Sequence, residues 1–600
     1  MEDTTSSYLL KLGIAGVQEF ISQSRKIRDL DAASRIVAAL SQSAGQALSQ
    51  AVSKECILVP AVVRKKDAWP HQIICRIHAG DERAVRAAAD AAASAVSEKW
   101  DEIATDAFSK RKRQIGTNQE SFLRAARDWL EVYWVAVKET GDYASDFDRV
   151  SQLYDGRRHT RTRSQPTRIV LSDGKMPWIC SLCGKRPSVL KEGSADGTAF
   201  TVGRERLCAA CATKRHDALA DARDVPSTHY LAKHRFLTDS GFEAVRDQHP
   251  NVNWRRVIDT PDSDEEVQAL PEKERDALST LRQRKAFQEL PSYYAIVVLD
   301  GDHMGKWLSG EKAGISEGEA IKDLQKELSS RIVDVSRKLT KLSQNPAEAT
   351  QGVYVVYAGG DDALLLTAMD YLLPAIRKIR SVWEKIMGAS WPPPLGSVAT
   401  GPTLTLHASI AHAKSPLQPA LRGAFDGLAR AKRYGRDCFS VAVQTSGAPF
   451  CMLGSWDEFD KLKDAVQAFS DWRLEDKGTR PLDPKEVAER PDKTLPMKTG
   501  HSLLGANVFF TTASSPEDAQ LWSEAGYDRE IRHLFNHSGA KRLARETWGE
   551  DLLAWLSNRA KRRLVSDDNQ PICGRELVES ALKTSLFLAR TLSWRGNDDQ

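Results

Sequence analysis

Two consecutive aspartates stand between two apolar runs, in a pattern typical of a site for divalent metals. Asp361 and Asp362 follow Gly359 and Gly360, and the flanking apolar residues predict a β-hairpin with both carboxylates near its tip. Adjacent glycines supply the positive φ angles that a tight turn needs, and they leave room for a ligand. Two carboxylates this close repel each other unless a cation holds them, and hard oxygen ligands suit Mg²⁺ or Mn²⁺.

A second acidic element ends an upstream apolar run, residues 294–299. Asp300, Gly301 and Asp302 follow it, as expected where a buried strand emerges at the edge of a site. If this strand pairs with the hairpin, Asp300 meets the two hairpin aspartates, with Asp302 as a further candidate. Such a cluster can hold two ions about 4 Å apart, the geometry used for in-line attack on a nucleotide phosphate. Two ordinary surface turns are the alternative for each element taken alone.

Three more residues are candidates for contact with a nucleotide. Lys432 and Arg436 flank the end of a predicted helix over residues 417–434. A cationic helix end followed by glycine is ordinary C-terminal capping, but beside a metal site it is also where a triphosphate-binding protein places cations. Ser409 lies in a predicted strand, 403–410, where it either lines a pocket or follows the ordinary alternation of the strand.

Four of the nine cysteines form two CxxC pairs, separated by 24 residues: Cys180, Cys183, Cys208 and Cys211. Two thiolates from each pair complete a tetrahedral Zn²⁺ site. A four-cysteine site has no open coordination position, so its role is expected to be structural. The alternative is four unrelated buried thiols. An odd number of cysteines in a long chain argues against a disulfide framework.

Composition limits the other classes of function. The 600 residues suggest three to five domains. The 85 basic and 81 acidic residues give a net charge of only +4, which excludes a general attraction to polyanions. Local basic clusters at 110–113 and 157–163 are either solvated faces or RNA contacts. No apolar run is long enough to span a membrane, and the acidic start lacks a signal-peptide core, so a cytoplasmic protein is expected.

The pattern of elements predicts an α+β fold. Residues 291–444 show a strand, helices, a hairpin, a helix, a strand, the helix over 417–434 and a last strand at 438–443. That order fits a ferredoxin-like palm with antiparallel strands. The N-terminal region reads as a similar module. Aligning the two modules places Ile14 where Asp300 stands, so the first copy is expected to lack metal ligands. Residues 450–600 alternate helical patterns with polar connectors, which predicts a helical interaction domain.

Together these residues resemble the large palm-domain subunit of type III CRISPR effector complexes, closest to the Cmr-type branch. The resemblance is carried by the run Gly-Val-Gln-Glu-Phe-Ile that begins at Gly16, the paired CxxC motifs, Asp-Gly-Asp-His-Met-Gly at 300–305, Gly-Gly-Asp-Asp at 359–362, and Ala431-Lys432 through Gly435-Arg436. It implies two ferredoxin-like palm domains, an intervening zinc-bearing helical domain and a C-terminal helical domain. The expected boundaries are 1–105 and 289–449 for the palms, 106–288 for the zinc-bearing domain and 450–600 for the last.

The resemblance also implies a function, the synthesis of cyclic oligoadenylate from ATP, switched on by target RNA. Carried over to this chain, Asp300, Asp361 and Asp362 form the catalytic metal site, with Asp302 as a further ligand. The residues implied to contact the nucleotide are Gly301, Gly359, Gly360, Ser409, Lys432 and Arg436. The implied cofactors are two Mg²⁺ or Mn²⁺ ions and a structural Zn²⁺. The implied partners are the other complex subunits, guide RNA and target RNA, with no membrane.

One departure from the family pattern bears on activity, and two alternatives stay open. Many members begin with an HD nuclease domain, whereas this sequence starts at the first palm, so no DNase activity is expected. The two alternatives to cyclic oligoadenylate synthesis are a catalytically silent scaffold and a related cyclase that makes a different nucleotide. The acidic-acidic-Phe ending of diguanylate cyclases is absent after Gly359 and Gly360.

Overall fold

The fold is taken from a computed structural model. It describes residues 6–60, 69–160, 167–171, 174, 177–191, 205–220, 225–237, 240–259, 267–268, 270–283, 292–343, 352–444, 449–476, 551–552, 554–556, 558–559, 564–565, 571–572 and 574–592. The predicted basic residues 161–163 lie outside these ranges. Within these ranges, no helix combines the length and the apolar character needed to cross a lipid bilayer.

The first sheet has four strands: β1 (Ser6–Ala15), β2 (Ile57–Val59), β3 (Gln72–Ala79) and β4 (Glu131–Lys138). Their order is β2-β3-β1-β4, and every pairing is antiparallel. The helices of this unit are α1 (Val17–Ser22), α2 (Ile27–Ala51), α3 (Glu82–Arg111), α4 (Gln119–Ala126) and α5 (Tyr143–His159). With α2 after β1 and α3 after β3, the chain order is β-α-β-β-α-β. Because β4 lies beyond residue 105, the sheet draws on residues that the sequence assigned to the zinc-bearing segment.

Helices α2 and α3 cover one face of the first sheet. Helix α3 begins at Asp81, whose carboxylate accepts a hydrogen bond from the Ala84 N–H at 3.0 Å, an ordinary N-terminal cap. Its buried stripe includes Ala88, Ala89 and Ala92, and such small side chains allow close packing against α2.

The segment after the first unit supplies five helices: α6 (Ala209–Ala220), α7 (Thr228–Leu237), α8 (Ser240–Gln248), α9 (Trp254–Asp259) and α10 (Glu272–Gln283). Helix α6 starts inside the second CxxC motif and packs against α2 and α3. Helices α8 to α10 enclose a small core of their own, with Val245, Val257 and Leu281 at its centre. The described residues of this segment are therefore mainly helical, as predicted, and its cysteine-bearing end is attached to the first unit.

The second sheet has six strands: β5 (Tyr293–Gly301), β6 (Val353–Ala358), β7 (Asp362–Ala368), β8 (Leu404–His412), β9 (Cys438–Gln444) and β10 (Phe450–Ser455). Their order is β10-β9-β8-β5-β7-β6. The associated helices are α11 (Met304–Leu308), α12 (Gly318–Thr340), α13 (Met369–Met387), α14 (Leu417–Arg433) and α15 (Phe459–Asp476). Strands β5 to β8 with α12 and α13 repeat the order of the first unit.

Strand β9 is the last strand that the sequence predicts for the palm, but the sheet is not wholly antiparallel as expected, and β10 extends it past residue 449. Strand β9 is parallel to β8 because α14 crosses over between them, and β10 then returns antiparallel to β9. The last elements are β11 (Leu564–Val565), β12 (Pro571–Ile572) and α16 (Gly574–Leu592). Helix α16 packs on α15 and β10, so the described C-terminal residues complete the second unit's core.

Register corrects one detail of the predicted duplication. Asp300 faces Asp362 across β5 and β7, and Gly13 faces Gln72 across β1 and β3. The next backbone N–H makes an equivalent bond in each sheet. The Gly301 N–H donates to the Asp361 carbonyl at 2.9 Å, and the Ile14 N–H donates to the His71 carbonyl at 3.0 Å. The residue aligned with Asp300 is therefore Gly13 and not Ile14, since a slip of one residue turns a strand side chain to the other face. Neither Gly13 nor Gln72 carries a carboxylate.

The two units are joined by polar contacts as well as by a shared apolar core. The Tyr143 hydroxyl on α5 donates to Gln325 Oε1 on α12 at 2.6 Å. The Tyr354 hydroxyl on β6 donates to Asp31 Oδ1 on α2 at 2.9 Å. Apolar residues of both sheets belong to one buried cluster, which includes Leu10 and Leu364. Contacts on both sides thus fix the distance between the sheets.

Candidate active site

The hairpin between β6 and β7 presents the two consecutive aspartates. Its tip is closed by a hydrogen bond from the Gly359 N–H to the Asp362 carbonyl at 3.3 Å. Gly360 has a φ of 133°, a conformation that side-chain-bearing residues rarely adopt. Asp361 and Asp362 follow it, half-buried, at the start of β7. The predicted hairpin is confirmed, and glycine is required at its second position.

Asp300 lies beside the hairpin tip because β5 and β7 are paired there. Its carboxylate is ion-paired with Lys432 Nζ from the last turn of α14. The same Nζ lies 3.3 Å from the Gly301 carbonyl oxygen. The structure therefore brings four predicted residues, Asp300, Asp361, Asp362 and Lys432, to one place, where the ends of β5, β7 and α14 meet.

The aspartates carry more negative charge than their surroundings balance. Burial raises the pKa of Asp361 to about 6, and the Asp300 carboxylate adds to the rise. Burial, followed by repulsion from Asp361 and Asp300, raises the pKa of Asp362 to about 8. Tyr357 opposes this rise, because its hydroxyl donates to Asp362 and favours the charged form. The pKa of Asp300 is also raised, mainly by burial, although the ammonium of Lys432 lowers it.

This charge imbalance fits a divalent cation. The donors are hard carboxylate oxygens with a backbone carbonyl beside them, the ligand types that Mg²⁺ and Mn²⁺ prefer. The oxygens of the three carboxylates lie farther apart than the ligand atoms of a closed metal site. Of the residues described, only the four predicted zinc cysteines form a group of three or more metal-ligating side chains within 4.8 Å of one another. The aspartate cluster is thus an open site, with Lys432 as the cation nearest to Asp300.

Asp302, the further metal candidate, has a different environment. It is 1% exposed. Its Oδ1 accepts from Thr405 Oγ1 at 2.7 Å, and its Oδ2 accepts from Thr403 Oγ1 at 2.8 Å and from the Asp437 N–H at 2.9 Å. Three protein donors therefore bind this carboxylate, and the structure does not place it with the other aspartates on the cavity wall.

Two predicted nucleotide contacts are also placed elsewhere. Ser409 is fully buried, and its hydroxyl accepts from Gln444 Nε2 at 2.5 Å beneath α14. Arg436 lines a separate small cavity of about 110 Å³, with Ser455 and Arg559 from the segments that follow. Sequence alternation fixes neither which face of a central strand meets the ligand nor the direction of a side chain in a turn.

A cavity of about 570 Å³ opens over the aspartates, within the range of about 300–1,000 Å³ typical of small-molecule sites. Both units line it. Asp300, Gly359, Gly360, Asp361 and Asp362 form its acidic wall. Residues of the first unit and of helices α11 and α12 form an apolar wall: Val59, Pro60, Pro70, Ile74, Phe147, Leu308, Ile332 and Val333. The cavity thus combines an acidic end with an apolar slot.

Sequence reasoning missed two cations on this cavity, Lys11 of β1 and Lys306 of α11. Lys11 Nζ also lies 5.0 Å from the centre of the Tyr154 ring, and burial lowers its pKa. Lys306 is ion-paired with Glu311 at 2.8 Å. Lys11 gives no signal in the sequence, because it lies in the unit that lacks the two acidic motifs and reaches the site only through the packing of the two sheets.

The second predicted metal centre is the cysteine cluster. Its four sulfurs lie within 4.8 Å of one another, and Cys183 Sγ is 3.8 Å from Cys208 Sγ. Sulfurs about 2.3 Å from a tetrahedral zinc ion lie about 3.8 Å apart, so the cluster fits the ion. All four cysteines are buried. Four thiolates fill the coordination sphere of a tetrahedral ion and leave no open position for chemistry. The fit supports a structural ion.

Two family profiles match the sequence. One is described as "Cas10/Cmr2, second palm domain" and matches residues 293–440. The other is described as "CRISPR-associated protein Cmr2, N-terminal" and matches residues 9–105. The first covers the second sheet with its aspartate cluster, and the second covers β1 to β3 with α2 and most of α3.

The chain is similar to a curated protein and to solved structures. It is 23% identical over 582 residues to "CRISPR system Cmr subunit Cmr2" of Pyrococcus furiosus, a match that covers 75% of this chain and 63% of that relative. The large subunit of "Type III-B Cmr-beta" in its apo state aligns with a TM-score of 0.62 and 14% identity, over 98% of this chain and 82% of the other. The form "bound to cognate target RNA" gives 0.64 and 14%, over 99% and 84%. At this identity the structural matches show the shared fold.

Proposed function

Since the chain belongs to the Cas10/Cmr2 family, of Cmr type, we propose that it is a metal-dependent nucleotidyltransferase that makes cyclic oligoadenylate from ATP. The observation that carries the proposal is the pairing of Asp300 with the two hairpin aspartates on the wall of a cavity large enough for a nucleotide. Its apolar slot suits a purine base, and its acidic end suits metal-bound phosphates.

The proposed roles follow from where each side chain lies. Asp300, Asp361 and Asp362 would hold two Mg²⁺ or Mn²⁺ ions, which supply charge neutralisation of the triphosphate and a lower pKa for the attacking ribose hydroxyl. Gly359 and Gly360 let the phosphates approach the hairpin backbone. Lys432 balances charge beside Asp300, and Lys306 and Lys11 add cations on the cavity wall, where phosphate oxygens develop charge during transfer.

The partners belong to the same proposal. A Cmr-type large subunit is expected to work within a ribonucleoprotein, so we propose that other complex subunits, guide RNA and target RNA control the access of ATP to the cavity. The cysteine cluster would hold Zn²⁺ and stabilise the segment between the two sheets.

The test is product synthesis by the full chain assembled with its cognate subunits and guide RNA. ATP with Mg²⁺ or Mn²⁺ and matching target RNA should give cyclic oligoadenylate, identified by mass spectrometry. The double variant Asp361→Ala with Asp362→Ala should lower the rate by at least about a thousandfold, because it removes two of the three proposed ion-binding carboxylates.

The matched control is Asp334→Ala, which removes an exposed acid on α12 outside the cavity and should leave synthesis unchanged. Full synthesis by the double variant would overturn the assigned site. A wild-type complex that binds target RNA but makes no nucleotide product would favour the silent scaffold. A cyclic dinucleotide or an adenylate conjugate as the product would favour a related enzyme that makes a different nucleotide.

A further inference from the structure

We propose that Asp302 is a positioning residue that fixes Lys432 against Asp300, and that it is not a metal ligand. The inference rests on the proposed function, because it assigns a role in that same site. It corrects the simplest interpretation of Asp-Gly-Asp, in which both carboxylates bind ions. The contacts of Asp302 with its three donors carry the argument.

The first step concerns the turn between α14 and β9. Its residues Gly435, Arg436 and Asp437 have φ angles of 139°, 56° and 41°. Non-glycine residues in left-handed conformations carry backbone strain, and they persist only where the surroundings determine them. Two contacts do so here. The Asp437 N–H donates to Asp302 Oδ2 at 2.9 Å, and Arg380 Nη1 donates to the Asp437 carboxylate at 2.8 Å.

The second step concerns the other side of Asp302. Thr403 and Thr405, at the start of β8, donate their hydroxyls to its two oxygens. The backbone N–H of Asp302 donates to the Thr403 carbonyl at 2.9 Å. One carboxylate therefore ties together the end of β5, the start of β8 and the turn after α14.

The third step leads to Lys432. It lies in the last turn of α14, immediately before the turn that Asp302 holds, and its Nζ bonds to Asp300 and to the Gly301 carbonyl. Fixing the turn fixes where α14 ends, and so where this ammonium stands. Asp302 acts on the acidic site through that chain of contacts. Its own carboxylate is 1% exposed and is not part of the cavity wall.

The test compares Asp302→Asn with Asp300→Asn in the full chain, using Mn²⁺ alone as the probe. Calorimetry or electron paramagnetic resonance measures the Mn²⁺ dissociation constant without any need for activity. Asp300→Asn should weaken Mn²⁺ binding by at least about tenfold, because a charged ligand is lost. Asp302→Asn should leave the dissociation constant within about twofold, because no ligand is lost.

Kinetics on the assembled complex supply the second measurement. Asp302→Asn should lower kcat by about tenfold to a hundredfold with KM for ATP little changed, since a small misplacement of a catalytic cation has effects of that size. Thr405→Val removes one of the donors and should shift kcat in the same direction. A folded Asp302→Asn chain that loses Mn²⁺ as Asp300→Asn does, or that keeps full kcat, would overturn the proposal.

The two proposals fail separately. A wild-type complex that binds Mn²⁺ but makes no product would count against the cyclase and, with it, against a positioning role in catalysis, while the Mn²⁺ comparison would still decide whether Asp302 is a metal ligand. A chain in which Asp302→Asn lowers only the melting temperature, with both the Mn²⁺ constant and kcat unchanged, would reduce Asp302 to a fold-stabilising residue and contradict the positioning role.

Discussion

The charges around the hairpin are unbalanced at the scale of single residues. Three carboxylates share one close ammonium, Lys432, and burial raises the pKa of Asp361 to about 6 and that of Asp362 to about 8. An Asp in the unfolded chain titrates near 3.8. The folded protein without a divalent ion therefore holds more protons at the hairpin than the unfolded chain does.

This imbalance predicts a pH-dependent affinity for metal. Ions bind the ionised carboxylates, so Mn²⁺ binding should strengthen as the pH rises from about 6 to about 8, with protons released. The stability of the metal-free protein has the opposite pH dependence. Without metal, a raised folded pKa makes the free energy of unfolding fall as the pH rises from about 4 to about 8. Calorimetry at pH 6, 7 and 8 in two buffers of different ionisation enthalpy measures both affinity and proton release. An affinity that stays flat across this range would contradict the prediction.

Residue types and spacing indicate which acidic residues meet, but not which way every side chain points. Asp300 and the hairpin aspartates converge because two strand ends are adjacent in the sheet. Ser409 and Arg436 were predicted as nucleotide contacts, yet one faces α14 and the other a separate cavity. Strand parity and turn conformation decide these directions, and both depend on packing that a single sequence does not contain.

The hairpin illustrates what an element contributes to the site. Its tip depends on Gly360, whose φ of 133° is open to glycine alone among ordinary residues. A Cβ there would lie 3.6 Å from Asp362 Oδ1, so space is sufficient and the backbone conformation is the obstacle. The acidic pair is thus held by a turn that tolerates no side chain.

Replacement of this glycine should therefore affect both stability and synthesis. Gly360→Ala should lower the free energy of unfolding by about 1–3 kcal/mol, because the alanine adopts the strained backbone conformation only in the folded state. It should also lower the rate of product formation by at least about tenfold, since the acidic pair moves. Urea unfolding and product analysis by mass spectrometry measure the two effects.

Gly396→Ala is the matched control, because Gly396 has an ordinary φ and open space around it. It should change neither stability nor rate appreciably. Equal behaviour of the two alanine variants would mean that the turn adapts without cost.

The elements themselves were largely predictable. Apolar runs with glycine and aspartate boundaries predicted β5, the hairpin, β8 and β9, and helical periodicity predicted α14. Register was not predictable to the residue, as the alignment of Gly13 with Asp300 shows. Strand β4 was also missed, because its polar residues Glu131 and Lys138 bound a short run inside a segment that reads as helical.

At the scale of the whole molecule, the segment that carries the cysteine cluster is anchored to the first unit through buried charges. Arg215 on α6 is 2% exposed and bonds to Asp29 Oδ1 at 2.6 Å and to Glu205 Oε2 at 2.8 Å. The neighbouring Lys214 Nζ donates to the Phe20 carbonyl at 2.9 Å. The residues that follow the last cysteine motif therefore hold α1 and α2 in place.

Removal of this guanidinium should be costly. Arg215→Met removes the buried guanidinium that bonds to Asp29 and Glu205, although Glu205 keeps its ion pair with Arg25 at 3.6 Å. The loss should lower the free energy of unfolding by about 3–5 kcal/mol. The midpoint of urea unfolding of the full chain measures the loss. Arg86→Met, at an exposed position on α3, is the control and should change stability by less than about 0.5 kcal/mol. A loss below about 1 kcal/mol for Arg215→Met would show that the network is not an anchor.

The nucleotide-sized cavity belongs to neither sheet. The second sheet supplies the three clustered aspartates, while the first unit, whose sheet has no acid at the aligned positions, supplies much of the apolar wall, Lys11 and two further acids, Asp148 and Asp155. The chemistry and the width of this chamber thus depend on different parts of the chain. The clustered aspartates of the second unit set which chemistry is available, and the contacts of Tyr143 with Gln325 and of Tyr354 with Asp31 set how far apart the walls stand.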